Sequence, residues 1–186
     1  MSDPETREAP PRRRADAVRN AEAVLEAAKA VFAESGVDAP VRDIAARAGV
    51  GVGTIYRSYP QRSDLIIAVF RREVDATAQA ADELAAEHQP AEALRRWADR
   101  FATFVATKRG FSSALHSGDP AYQPLPAYFL GALAPRVQSI LDAGAAQGTI
   151  RADVSAEDLI GALSRLAGEG GGSTMTRVLL DGLLRP

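Results

Sequence analysis

Between Ala15 and Ser35, apolar side chains at Val18, Ala21, Val24, Leu25, Ala28, Val31 and Phe32 recur at steps of three and four. That spacing predicts a helix with one buried stripe, and Gly36 suits the residue that ends it. After Pro40 the run VRDIAARA keeps the same spacing over one short helix, Gly49-Val50-Gly51 interrupts it, and VGTIYRSY forms a second short helix stopped by Pro60. Ser63 is placed to cap a long helix with Leu65, Ile66, Val69, Phe70 and Val74 on one face, reaching about Ala86. Pro90 suits the first turn of the next helix, to about Lys108. Beyond Gly110 the pattern predicts a short helix from Phe111 to His116, an irregular stretch SGDPAYQPLP over 117–126, and a helix over 127–146 kinked or broken by Pro135 and closed by Gly148. Ser155 with Asp158 resembles a capping box that opens a helix to about Ala167. A Gly170-Gly171-Gly172 loop and a last helix over 173–184 complete the chain. No segment alternates with a period of two, so the expected fold is all-α with about nine helices.

The first eleven residues hold three prolines and no apolar period, which predicts a disordered arm over 1–14 ending in Arg12, Arg13 and Arg14. The triplet is a candidate phosphate or minor-groove arm, although such a run beside a domain is more often an ordinary charged tail. Residues 15–62 are expected to form a first domain and 63–186 a second.

The two short helices carry the chemistry. Val41, Ile44, Ala45 and Ala48 share a face with small residues where a neighbouring helix must come close. Gly49 can take the left-handed conformation of a sharp turn, and Val50 plugs the angle, which together describe a helix-turn-helix. In the second helix Ile55 and Tyr59 point inward, leaving Thr54, Arg57 and Ser58 on the outer face and Tyr56 on its flank. Short donors, one arginine and one tyrosine suit a major groove, and Gly51 and Gly53 keep the helix start slim enough for its free N–H groups to near a phosphate. Arg57 is the main candidate for reading a base, through a bidentate contact to guanine, and Val52 is placed either to touch a thymine methyl or to pack. Arg42 and Arg47 fit backbone phosphates or solvated surface equally.

Over residues 15 to 70 the ordered series A-x-x-x-F-x-x-x-G, I-A-x-x-A-G-V and T-I-Y-x-x-Y-P-x-R-x-x-L resembles the N-terminal DNA-binding domain of TetR/AcrR-type transcriptional regulators. The resemblance implies that Thr54 and Tyr56 hydrogen-bond phosphates, that Gly51 to Gly53 approach bases or backbone, and that Arg62 replaces a usual Lys as a phosphate clamp. Ser58 stands where a His is frequent and Tyr59 where Phe is usual. From residue 71 onward the likeness is in helix count, helix lengths and the closing Arg177 to Leu184. It is greatest to regulators whose last two helices form a dimer.

Composition narrows the alternatives. The chain has 186 residues, 46% hydrophobic and 25% charged, with no Cys and two His, His88 and His116. Disulfides, thiolate nucleophiles and Cys-based zinc sites are excluded, no metal or cofactor is called for, and Ser112, Ser113 and His116 lack a matched Asp for catalysis. No apolar run approaches the length of a membrane span and the polar N-terminus lacks a signal-peptide core, so no membrane partner and a cytoplasmic location are expected. Residues 12–62 hold nine Lys and Arg against six Asp and Glu, and residues 63–186 twelve against fifteen. A nucleic-acid-facing module on an acidic body has that distribution.

In the second domain Trp97, Phe101 and Phe104 share a helix face, with Phe111, His116, Tyr122, Tyr128 and Phe129 on or near the elements that follow. They fit a packed core and also the wall of the effector pocket that the resemblance implies, His116 being a candidate anchor or gate. Leu159, Leu163, Leu166, Val178 and Leu179 on the last two helices are the expected dimer interface, though a monomer could bury them in its own core. The expected function is that of a homodimeric repressor bound to a palindromic, double-stranded operator and released by a small-molecule effector. The rival is a helical small-molecule carrier or enzyme whose helix-turn-helix does not bind DNA.

Overall fold

Gly36 and Gly49 turn the chain at its first two corners, both in the left-handed region with φ of 78° and 67°. The computed structural model describes residues 11–108, 111–115, 117–168 and 172–185. It comprises α1 (Pro11–Ser35), α2 (Val41–Ala48), α3 (Val52–Ser58), α4 (Arg62–Glu87), α5 (Pro90–Lys108), α6 (Ser112–Leu115), a 3-10 turn (Pro120–Tyr122), α7 (Leu125–Ala146), α8 (Ala156–Gly168) and α9 (Gly172–Leu183). The described residues contain no strand; a single bridge pairs Ile150 with Leu184 and ties the C-terminal end to the α7–α8 loop. Gly144 makes room for that loop, since a Cβ there would meet the Ile150 side chain at 2.4 Å.

Several boundaries differ from expectation for local reasons. Pro11 opens α1, as a proline in a first helical turn can, so residues 11–14 are helical rather than part of a disordered arm; residues 1–10 lie outside the described residues. Helix α4 starts at Arg62, not after Ser63, because the Asp64 carboxylate accepts the Gln61 N–H at 2.9 Å and satisfies an otherwise orphaned donor. Helix α7 runs unbroken through Pro135. Ser155 caps α8 as its sequence suggests, its Oγ accepting the Asp158 N–H at 3.1 Å. Of the glycine loop, residues 169–171 lie outside the described residues, as does His116; Gly172 opens α9.

Two apolar cores result. The first gathers Val24, Ala28, Val31 and Phe32 of α1, Ile44 and Ala45 of α2, Ile55 of α3 and Leu65, Ile66 and Val69 of α4. The second gathers Phe70, Val74 and Ala78 of α4 with Leu94, Trp97 and Phe101 of α5, Phe129, Leu133 and Val137 of α7, Leu159 and Leu163 of α8, and Leu180 and Leu183 of α9. Helix α4 therefore serves both, and the cores divide between Val69 and Phe70 rather than at the helix start. Phe111 and Ala114 belong to the first core although they follow α5 in the chain. The Phe111 ring meets Phe32 edge-on at 5.6 Å and Phe70 at 6.4 Å. Among the described residues no helix is long and apolar enough to cross a membrane, and no group of three His, Cys, Asp or Glu is positioned to hold a metal.

Phe111 is 2% exposed, so truncation leaves a cavity. Phe111→Ala is expected to cost about 3–5 kcal/mol in denaturant unfolding. It should also speed amide exchange in α1 and α2 more than in α7 and α8, which identifies the core that Phe111 supports.

Candidate nucleic-acid interface

Helix α2 ends where Gly49 turns and the Val50 N–H donates back to the Ala45 carbonyl at 3.1 Å, a closure that aims α3 away from α2. Ile55, 1% exposed, fixes the inner side of α3 against the first core. With a helix advancing about 100° per residue, the side opposite Ile55 is Gly53 and Arg57, flanked by Tyr56 and Thr54. Arg57 and Ser58 are exposed as the sequence suggests, and Tyr56 and Val52 are 51% and 38% exposed, whereas Thr54, expected on the same exposed face, is half-buried on the flank. Tyr59 is half-buried against the first core, and burial pushes its phenol above the ordinary tyrosine value.

Neither Gly51 nor Gly53 is required by the protein's own fold. Gly51 has φ −70°, a value open to any residue. A Cβ on Gly53 would meet nothing within 4 Å, and one on Gly51 only the Thr54 Oγ1 at 4.0 Å. The bare start of α3 is thus open surface.

The arginines differ by the acceptors around them. Arg42 is exposed, with Nε 3.6 Å from Asp43. Arg47 donates through Nη1 to both Glu34 oxygens at 2.8 and 2.7 Å; that hydrogen bond, more than the charge alone, holds the Glu34 carboxyl below its usual range. Arg57 folds back along α3, Nε donating to the Gly53 carbonyl and Nη2 to the Thr54 hydroxyl, each at 3.1 Å. Arg62 departs from the expected phosphate clamp. Its guanidinium turns inward, Nη1 donating to the Val37 carbonyl and Nη2 to that of Ala39 at 2.7 Å. Those carbonyls lie in the loop between α1 and α2 with no helical N–H to receive, and Arg62 supplies the donors.

Most of the other candidates lie in or against the second core. Trp97 and Phe101 are wholly buried and stack at 5.0 Å, with the indole N–H donating to the Thr77 carbonyl at 3.1 Å. Phe104, 6% exposed, stacks on Phe129 at 5.9 Å and borders a cleft of about 390 Å³ between α1, α4 and α5, lined also by Lys29, Glu73, Asp99 and Arg100. Phe111, expected in a pocket of the second domain, packs in the first core instead, because its ring fills the gap between Phe32 and Phe70. Tyr122 touches both cores, and burial followed by Asp119 raises its pKa. Tyr128 lies on the α4–α7 seam, its hydroxyl donating to Asp75 at 2.6 Å and its ring 4.9 Å beneath the Arg71 guanidinium.

Of the expected dimer residues, Leu159 and Leu163 are buried in their own chain at 1% and 2% exposure, because α8 packs them against α5 and α7. Leu166 and Leu179 are half-buried and Val178 is exposed. Met175, one turn before Val178, is exposed beside it, and the three-residue spacing is the sequence signal that places it on the same face.

Residues 24–69 match the family described as bacterial regulatory proteins, tetR family, and residues 89–185 match the C-terminal domain described as transcriptional regulator SbtR-like. A solved TetR transcriptional regulator from Streptomyces coelicolor is 37% identical with a TM-score of 0.71, over 88% of this chain and 97% of its own. A TetR transcription regulatory protein from Mycobacterium vanbaalenii is 34% identical with a TM-score of 0.73, over 92% and 99%. The transcriptional repressor LfrR of Mycolicibacterium smegmatis is 38% identical over 78 residues, 42% of this chain and 41% of its own length. An HTH-type transcriptional regulator of Staphylococcus aureus is 36% identical over 63 residues, 34% of its length, so the match spans well under half of these curated relatives.

Two substitutions test the assignments on this surface. Gly53→Ala should stabilise the free protein by up to about 1 kcal/mol, since glycine inside a helix is unfavourable, and should weaken duplex DNA binding by crowding the approach. Arg62→Ala should lower the melting temperature and leave the slope of log affinity against log salt unchanged. A direct phosphate contact would instead remove about 0.9 from that slope.

Proposed function

Since this chain belongs to the TetR family of bacterial regulatory proteins, we propose that it is a cytoplasmic homodimeric repressor that holds a palindromic operator and releases it when a small molecule binds the second domain. The family is one of regulators, not enzymes, which removes the catalytic rival. The observation that carries the reading is the outer face of α3, bare at Gly51 and Gly53 and bearing Thr54, Tyr56, Arg57 and Ser58. Backbone N–H groups at the start of α3, with Tyr56 and Arg42, are assigned to phosphates, Val52 to apolar contact in the groove, and Arg57 to base edges.

One such helix is seven residues long and offers few contacts. Two copies related by a two-fold axis, one DNA turn apart or a multiple of it, raise both affinity and specificity. We assign the dimer contact to Leu166, Met175, Val178 and Leu179 on α8 and α9, since these apolar side chains are not fully covered by their own chain.

For the effector, Trp97 and Phe101 are close-packed, whereas Phe104 already borders a cleft. The Lys29–Glu73 pair at 2.9 Å crosses that cleft's wall and joins α1 to α4. A ligand against Phe104 acts on both domains at once, and Tyr122 and Tyr128 brace α4 from the other side. A coupling free energy of about 1–3 kcal/mol between effector and operator is enough for regulation.

Selection from random duplex DNA by the purified protein tests the reading: a palindromic site whose affinity falls by orders of magnitude between about 50 and 200 mM salt is expected. No enriched site would overturn it. The double variant Met175→Glu, Val178→Glu should sediment as a folded monomer with weakened operator binding. Leu163→Ala should instead cost about 2–5 kcal/mol of stability, as a buried leucine does.

A further inference from the structure

Arg57 is held before any partner arrives. A guanidinium has two donor edges: a side edge made by Nε–H and one N–H of Nη2, and an end edge made by Nη1 and the other N–H of Nη2. In Arg57 the side edge is spent on the helix itself, Nε on the Gly53 carbonyl and Nη2 on the Thr54 hydroxyl. Among the described residues the end edge, two parallel N–H donors, has no partner, and Arg57 is exposed. No carboxylate lies in ion-pair range of Arg57 among the described residues, in contrast to Lys29, Arg42, Arg47 and Arg72, which have Glu73, Asp43, Glu34 and Glu26. Its charge is undiminished and its side chain is laid toward the start of α3, the end of a recognition helix that meets base edges.

We infer that Thr54 and Arg57 form one reading unit, in which the Thr54 hydroxyl positions the guanidinium and Arg57 takes the O6 and N7 acceptors of one guanine in each half-site. The inference rests on the DNA-binding reading above and deepens it by making Thr54 the positioning residue for the guanine contact expected of Arg57. It also reassigns Thr54. A hydroxyl that accepts from Arg57 acts through that residue, whereas the resemblance alone made Thr54 a phosphate contact. The free end edge is a planar fork whose two acceptor positions on guanine are coplanar with it, and holding the fork in place removes rotamer freedom that binding would otherwise have to remove.

The test uses the full-length protein and the palindrome recovered by selection, with each symmetry-related pair of guanines replaced in turn by 7-deazaguanine. That base keeps pairing and phosphates but lacks the N7 acceptor. Wild type is expected to lose about tenfold or more in affinity at one guanine of each half-site. Arg57→Ala should bind the normal and substituted duplexes equally. Thr54→Val, which keeps shape and loses the acceptor, should lose most of the discrimination without changing the salt slope, and Thr54→Ser should retain it. Circular dichroism checks that each variant is folded. The inference is overturned if no guanine is sensitive in wild type, or if Arg57→Ala keeps the sensitivity. It is also overturned if Arg57→Ala weakens all duplexes alike with a slope smaller by about 0.9, the mark of a phosphate contact. Retained discrimination in Thr54→Val removes Thr54 from the unit. Failure to select any site overturns the DNA-binding reading and this inference with it, whereas a selected site indifferent to 7-deazaguanine overturns only the latter.

Discussion

One helix has to belong to two cores. Over α4 the buried stripe passes from Leu65, Ile66 and Val69, which face α1, α2 and α3, to Phe70, Val74 and Ala78, which face α5 and α7. A continuous hydrogen-bonded helix transmits displacement along its axis, so the first domain cannot keep its position if the second core repacks around α4. The junction is aromatic: Phe70 touches Phe104 at 6.2 Å on one side and Phe111 at 6.4 Å on the other, and Phe111 reaches Phe32. Rings packed edge to edge at native density have few alternative arrangements, so a displacement at this contact is passed on to both cores.

What the sequence disclosed was the part governed by neighbours within a turn or two. The spacing of Val41, Ile44 and Ala45, the left-handed Gly49 and the inward Ile55 are local facts, and the helix-turn-helix is built from them. The Ser155–Asp158 cap is equally local. The start of α4 lies two residues earlier than Ser63 suggests because two capping arrangements compete there, and the Asp64 carboxylate on the Gln61 N–H wins over Ser63. Phe111 lies in the first core for a reason that is not local. Its helical neighbourhood says only that it is buried, and which core takes it depends on a gap between Phe32 and Phe70, residues far from it in the chain. Leu159 and Leu163 show the same limit: an apolar stripe does not say whether it meets its own chain or a second one.

Arginine illustrates how far residue type falls short of role. Arg47, Arg57 and Arg62 lie within sixteen positions of one another, and charge alone does not tell their roles apart. The acceptors nearby separate them. Glu34 neutralises Arg47, two loop carbonyls draw Arg62 inward, and Arg57 meets only neutral oxygens of its own helix. Desolvated carbonyls bind a guanidinium more firmly than water-exposed carboxylates do, so Arg62 is the least available to a partner although its position in the motif suggests the opposite.

The surface assigned to DNA is also where the fold gives up stability of its own. A helix of seven residues is too short to persist alone, and α3 depends on Ile55 and Tyr59 for its anchorage. Glycine at 51 and 53 and outward aliphatic and aromatic groups at 52 and 56 add nothing to that anchorage. Gly53 is unfavourable inside a helix, whereas Gly51 suits the N-cap position it holds; the proposed groove contact asks for a slim, partly apolar helix with one oriented cation. Anchorage on the inner side and an open outer side are together what the proposed role asks of α3: the first core fixes its angle and leaves the opposite face uncommitted.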